Sequence, residues 1–280
     1  MQKLSDYARP TEANLEMAQE LDQSPIEDIL GLIHRQDGVA HEAVGECLSS
    51  MAEAVEVLVT SLSGGGNWFN VGAGTSGRLG VLDASEVPPT YGMSPRRVQA
   101  LMAGGERALR NAVEGAEDDF EAAGFELQQR GLGLGDVVVG ISASGGTPYV
   151  LGGLEFAHKN GARTIGITSD SNSELATSAE ISIVPNVGPE VVSGSTRMKC
   201  GLAQKMILTA ISTTVMVKLG RVRGNKMTHL SAVSDKLRGR AVRIVMDLTG
   251  VDFGSARKLL RETDGCVHTA VDRALNVKRP

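Results

Sequence analysis

The sequence predicts an α/β fold built on a doubly wound parallel sheet, flanked by N-terminal helices and followed by a small helical C-terminal module. Three observations predict it. Short apolar runs alternate with helix-length segments from residue 68 to 184, the rhythm of consecutive βαβ units. Residues 136–142 (DVVVGIS) are almost uninterrupted β-branched sequence, as in a strand covered on both faces. Two glycine-rich turns, GAGTSGR at 72–78 and SASGGTP at 142–148, each follow a strand and open a helix. Glycine accounts for 34 of the 280 residues, about 12% against a usual share of about 7%.

Taken in order, the first 25 residues are polar, carry Pro10 and Pro25, and read as an arm. From 26 to 62, Ile29, Leu30 and Ile33, then Val44, Leu48, Met51, Val55, Leu58 and Val59, recur at three- and four-residue steps. That spacing predicts an amphipathic helical pair, broken near Asp37-Gly38 and stopped by Gly64-Gly65-Gly66. Strands follow at 68–71, 98–102, 136–142, 164–168 and 181–184. Between them come a helix at 76–85, helical material that includes 112–129, and helices at 148–159 and near Ser173. A long apolar helix spans 198–219. From 231 to 275 the chain is charged, and DLTGVDFGSARKLLRETDG and TAVDRAL predict two or three short helices around glycine turns. The expected domains are an arm with helices packing on the core (1–62), the sheet domain (63–225) and the helical module (226–280).

Composition excludes several classes of function. Asp and Glu number 33 against 28 Lys and Arg, a net charge of −5, where a nucleic-acid-coating domain is usually basic. One Trp, three Tyr and five Phe leave little for repeated stacking. No apolar run approaches the roughly 18–20 residues of a membrane span, and the opening segment is too polar for a signal peptide. No membrane or nucleic-acid partner is expected, and the location expected is cytoplasmic. Cys47, Cys200 and Cys266 lie far apart, without the spacing of a zinc cage or a disulfide scaffold. The five histidines lack ligand spacing. No metal and no cofactor are expected.

Residues 72–77 formally match G-x-G-x-x-G. A dinucleotide site also wants an acidic residue about 20 positions on, at the tip of the next strand. Here that strand runs into Ala103-Gly104-Gly105, with Glu106 beyond it, and Pro88-Pro89 spoils a short crossover. What remains is a seat for an anion at a helix N-terminus, with Thr75, Ser76 and Gly77 as its donors; a tight turn capped by Ser76 is the plainer alternative. The second turn repeats the logic with Ser142, Ser144 and Thr147 ahead of Pro148. One hydroxyl suffices for a cap, so three favour a phosphorylated small molecule. A third segment, Ser193-Gly194-Ser195-Thr196-Arg197-Met198-Lys199, offers Ser195 and two basic side chains, or simply a solvated first turn. Among the acids, Asp83 and Glu86 end the first helix of the sheet domain. Glu114, Glu117 and Asp118 are expected on one face of the next. Helical carboxylates are mostly solvated surface, but two on opposite sides of a sugar can act as acid and base.

Four blocks, VGAGTSGRLGVLDASEVPPTYG (71–92), AGGERALRNAVEGAED (103–118), SASGGTPYV (142–150) and GSTRMKCGLAQK (194–205), resemble the N-acetylmuramic acid 6-phosphate etherases, lyases with a sugar isomerase (SIS) domain. The resemblance runs in order from about residue 11 to 275, and it departs at Gly146, where many members carry Arg, and at Val87, where Cys is frequent. It implies cleavage of the D-lactyl ether of an amino-sugar phosphate during N-acetylmuramate catabolism and cell-wall recycling, by elimination and then hydration. It places catalysis on Glu86, the acid for the leaving lactate, and Glu117, the base. The phosphate falls on Ser76, Ser142, Ser144 and Thr147. A homodimer with sites near the subunit boundary is also implied. Burial or neighbouring charge would have to raise the pKa of Glu86, with Asp83 a contributor.

Three rival readings remain at this point. A non-catalytic sugar-phosphate regulator usually needs a second SIS domain, for which 280 residues leave no room. A sugar-phosphate isomerase shares the phosphate seats but usually wants a catalytic His or a differently placed Glu. A transcriptional regulator would need a basic recognition helix ahead of the sheet.

Overall fold

A computed structural model describes residues 9–230 and 235–276. Five parallel strands form one sheet in the order β2-β1-β3-β4-β5: β1 (Trp68–Gly72), β2 (Val98–Met102), β3 (Val137–Ile141), β4 (Arg163–Ile167) and β5 (Ile181–Ile183). Every residue of β1 and β3 is buried, which is why their sequences do not alternate. The register aligns Met102, Gly72, Ile141 and Ile167 across the sheet, with Ile183 beside Ile167. The loops leaving the carboxyl ends therefore share one edge. The chain departs from β1 to opposite sides, towards β2 and then β3, so the strand order reverses between β1 and β3. In open α/β sheets that reversal opens the crevice where ligands bind.

Two helices precede the sheet, α1 (Ile26–Glu46) and α2 (Leu48–Ser63). Within and after it come α3 (Gly74–Tyr91), α4 (Gly105–Arg110), α5 (Ala122–Gln129), α6 (Pro148–Lys159), α7 (Glu174–Ser178) and α8 (Lys199–Lys218). Phe69, Val71, Leu101, Val138, Tyr149, Val150, Leu154 and Leu175 form a core between sheet and helices. A short hairpin, β6 (Val222–Arg223) and β7 (Lys226–Met227), leads to α9 (Asp235–Thr249), α10 (Phe253–Glu262) and α11 (Val267–Ala274). These last three helices enclose a separate apolar cluster that includes Ile244, Val245, Leu260 and Val271. Gly250 and Gly265, both at positive φ, turn the chain between them. By contacts the chain divides into two units. One takes the residues up to Ala84 together with Arg96–Ser212, and the other takes Ser85–Pro95 together with the residues from Thr213 onward.

The structure departs from the sequence reading at four places. Helix α1 runs straight through Asp37-Gly38 and ends at Cys47, since an exposed helical glycine is tolerated at about 1 kcal/mol. Helix α3 includes Pro88 and Pro89; both fall in its last turn, which Gly92 closes at φ +61° with its N–H on the Pro88 carbonyl. Of the helical material expected at 112–129, the α-helix begins only at Ala122. Gly115 at φ +74° breaks the segment before it into a loop and a 3₁₀ turn, Ala116–Asp118, so Glu114, Glu117 and Asp118 do not share a helix face. Finally, α8 is long and apolar enough to cross a membrane by length and composition, with a mean hydropathy of 1.3. Over half of that window is buried, Cys200, Ala203, Ile207, Leu208 and Ile211 among it, as in the core helix of a globular domain. Of the C-terminal stretch, 231–234 lie outside the described residues.

Candidate active site

The turn after β3 forms a compact hydroxyl cluster. Ser142, 3% exposed, is its hub: its Oγ lies 2.8 Å from Thr147 Oγ1 and 3.4 Å from Ser144 Oγ, and accepts from the Gly145 N–H at 3.0 Å. Gly146 N–H donates to Ser144 Oγ at 3.4 Å. Thr147 is the N-cap residue of α6, yet its side chain makes no capping bond. The hydroxyls face one another rather than the helix backbone, which is not what simple caps do.

The turn after β1 faces the same crevice. Ser76 is buried and donates to Gln204 Oε1 of α8 at 2.9 Å. A side chain on Gly201 of α8 would meet the Thr75 methyl at 3.4 Å. The first and third sequence segments thus come together through α3 and α8. Gly77 has a different role from the expected anion donor. Its N–H is held by the Ala73 carbonyl, and a Cβ there would sit 2.7 Å from Gly72 O and 2.9 Å from Met102 Cγ. Close packing of α3 on β1 and β2 requires this glycine.

The third segment is more constrained than its sequence suggests. The fully buried Glu190 accepts from the Lys199 and Cys200 N–H groups, each at 2.9 Å, so the N-terminus of α8 already holds an anion. Lys199 does not reach a ligand. It is 2% exposed and its Nζ donates to Gln36 Oε1 of α1 at 2.6 Å; burial holds its pKa below the usual range against the raising influence of Glu190. Ser195 and Thr196 remain half-buried at the turn, and Arg197 is exposed.

The acids divide sharply by environment. Glu117 is exposed and lines a cavity of about 170 Å³ shared with Gly74, Arg78, Met102 and Glu114. The Arg78 guanidinium donates to the Ala108 and Leu109 carbonyls at the end of α4. Glu86, on α3, is exposed, so the described residues do not give it the burial expected of it. The buried carboxyl of α3 is Asp83, 9% exposed, which accepts from Ser212 Oγ at 2.8 Å while its second oxygen has no hydrogen-bond partner among the described residues. Burial pushes its pKa up to about 6, against the lowering effect of Ser212 and Lys205. A larger hollow of about 680 Å³ lies at the opposite, amino ends of the strands. Its one deep carboxylate, Asp136, is already bonded to the Asn67 and Gly133 backbone. No group of His, Cys, Asp and Glu able to hold a metal occurs among the described residues.

Sequence reasoning missed two residues here. Glu190 carries no motif. Arg9 lies in the polar arm, and its Nη1 donates to the Ser144 carbonyl at 2.7 Å.

Comparison with known proteins bears on the family and the fold. Residues 50–158 match the glucokinase regulatory protein N-terminal SIS domain and residues 130–214 the SIS domain. An N-acetylmuramic acid 6-phosphate etherase of Christiangramia forsetii is 48% identical over 90% of this chain and 90% of its own. One from Escherichia coli is 47% identical over 89% and 84%. The chain belongs to the N-acetylmuramic acid 6-phosphate etherase family. More distant proteins share the SIS sheet of this family. A Francisella tularensis phosphoheptose isomerase superposes with a TM-score of 0.53 at 17% identity, over 69% of this chain and 99% of its own. A phosphoheptose isomerase of Neisseria gonorrhoeae gives 0.50 at 19%, over 68% and 97%. These two show the fold alone. The etherase likeness spans both units, and the regulator and isomerase readings are not favoured.

Proposed function

We propose that the chain cleaves the D-lactyl ether of N-acetylmuramic acid 6-phosphate, giving N-acetylglucosamine 6-phosphate and D-lactate. The single observation that carries this reading is identity of 44–48% to etherases along about nine-tenths of the chain, which includes both hydroxyl-bearing turns. The phosphate binds at the β1–β3 crevice through Thr75, Ser76, Ser142, Ser144, Thr147 and Ser195, and holds the sugar for reaction far from the ester itself. In the open-chain sugar the aldehyde acidifies the C2 hydrogen. Glu117 removes that proton; the electron pair forms the C2–C3 double bond and the C3–O bond breaks. Glu86 donates a proton to the departing lactyl oxygen. Water then adds at C3 and a proton returns to C2, so atoms and charge balance without a redox partner.

Both glutamates are exposed in the single chain, whereas acid–base catalysis on a sugar needs a closed, low-dielectric site. A second copy of the chain supplies that closure in this reading, with the site near the subunit boundary, in a cytoplasmic enzyme of cell-wall recycling. The test is D-lactate release from N-acetylmuramic acid 6-phosphate by the purified protein. Glu86→Gln and Glu117→Gln are each expected to lower kcat by about 10²–10⁴-fold, the usual contribution of a positioned acid or base. Absence of lactate from folded protein, or full activity in both variants, refutes the reading.

A further inference from the structure

Two buried hydrogen bonds between α3 and α8 differ in what their acceptors can do. Ser212 Oγ donates to Asp83 Oδ1 at 2.8 Å. An ionised carboxylate has no hydrogen to give, so the direction of that bond is fixed. Ser76 Oγ donates to Gln204 Oε1 at 2.9 Å, and there the partner is an amide, which carries a donor beside its acceptor. Gln204 is 1% exposed, and its Nε2 is buried with no hydrogen-bond partner among the described residues. Ser76 is itself 8% exposed.

An unmade donor at this depth is costly, and the pair cannot cure it alone. With the hydroxyl hydrogen on Oε1, Nε2 is the orphan. With the amide turned over, Nε2 donates to Ser76 Oγ and the hydroxyl hydrogen becomes the orphan instead. In either arrangement the two side chains are short of an acceptor. An anionic oxygen beside Ser76 supplies it. The bonds then run from Nε2 to Ser76 Oγ and from the hydroxyl to the anion, each polarising the next. The Gln204 carbonyl that this leaves unpaired is the less costly orphan. Ser76 lies in the first turn of α3, directly after β1, at the edge where the crevice opens. The neighbouring Gly77 N–H cannot take its part, being held by the Ala73 carbonyl.

We propose that Gln204 is a positioning residue for the substrate phosphate: its Nε2 donates to Ser76 Oγ and turns the Ser76 hydroxyl hydrogen towards the phosphate. The proposal rests on the sugar-phosphate reading above, and its test is designed to fail separately from it. Calorimetric titration with N-acetylglucosamine 6-phosphate is run beside D-lactate kinetics on wild type, Ser76→Ala, Gln204→Met, Gln204→Glu, and each Gln204 variant combined with Ser76→Ala. Ser76→Ala is expected to weaken binding and raise KM by about tenfold, because a bond to a charged group is lost. Gln204→Met should cost about fivefold alone and less than about twofold on top of Ser76→Ala, since residues in one chain of bonds are not additive. In both, kcat should stay within about threefold. Gln204→Glu keeps the shape but only accepts, so it takes the hydroxyl hydrogen as Asp83 takes that of Ser212. It should cost at least about tenfold, and less once Ser76 is already Ala. This second pair decides the matter if Met at 204 prevents folding. Losses that simply add, a fall in kcat at unchanged KM, or full affinity in both Gln204 variants overturn the proposal. So does full affinity in Ser76→Ala, which leaves the etherase reading standing. A wild type that binds the sugar phosphate but releases no lactate defeats the etherase reading alone, and the affinity series still decides the role of Gln204.

Discussion

Ser142 organises the candidate site because one buried oxygen serves three neighbours: the Thr147 and Ser144 hydroxyls and the Gly145 N–H. Removing it leaves a buried N–H without its side-chain acceptor and frees two hydroxyls to rotate, at a cost of about 1–3 kcal/mol. Ser142→Ala is therefore expected to raise KM for N-acetylmuramic acid 6-phosphate by about tenfold while the protein stays folded; an unchanged KM would remove this turn from the binding site. Asp83 offers a prediction of the opposite kind, read in stability. Its carboxyl titrates near 6 in the folded chain and at about 3.9 when unfolded. Between those values the native state holds the proton more tightly, so stability from this group falls as pH rises through about 4 to 6 and is lowest above 6. The displacement amounts to about 1–3 kcal/mol after discount for partial solvation. Asp83→Asn keeps an acceptor for Ser212 and cannot ionise. In urea unfolding it should exceed wild type by that amount at pH 8 and lose the advantage near pH 4. A difference independent of pH would show that ionisation of Asp83 is not its cause.

Glycines inside helices show what elements require and what a single sequence conveys of it. Gly38 in α1 is exposed with nothing within 4 Å of an added Cβ, whereas Gly77 in α3 would meet Gly72 O at 2.7 Å. Gly38→Ala is expected to stabilise the fold by up to about 1 kcal/mol through helix propensity. Gly77→Ala should destabilise it by about 1–3 kcal/mol, because strand backbone must move. Thermal or urea melts of both variants check the contrast. In the sequence the two look alike, and that is why Asp37-Gly38 reads as a break that α1 does not contain. The sheet is legible because buried parallel strands are apolar throughout, and Val98–Met102 and Pro148–Lys159 fall where patterning places them. The 112–129 segment is not: its polar spacing suits a helix, and only the backbone reveals Gly115 at φ +74°. The hydroxyl turns are legible as local motifs. Lys199 and Glu190 escape a sequence reading because their roles depend on where α8 packs, and Arg9 because its partner lies 135 residues away.

At the scale of the whole molecule, the proposed chemistry and the exposed surface ask for the same thing. Glu86 and Glu117 are open to water in one chain, where neither is desolvated enough for efficient proton transfer. Along the N-terminal helices, Ile26, Leu30 and Leu48 remain 76%, 61% and 62% exposed. Single exposed apolar residues are ordinary, but Ile26 and Leu30 stand one helical turn apart on the same face of α1. If that face joins two copies, self-association buries apolar surface, and activity must then follow the dimer rather than the chain. Sedimentation equilibrium should report a dimer at micromolar concentration. Leu30→Glu, placing a charge on each side of a two-fold contact, should shift it to monomer by weakening association at least about tenfold, since desolvating unpaired charge is costly. D-lactate release per chain should fall in parallel and recover as protein concentration rises. A variant that remains dimeric and active moves the interface off α1. A wild-type monomer with full turnover would mean that one chain closes its own site, and the shared-boundary geometry would have to be abandoned.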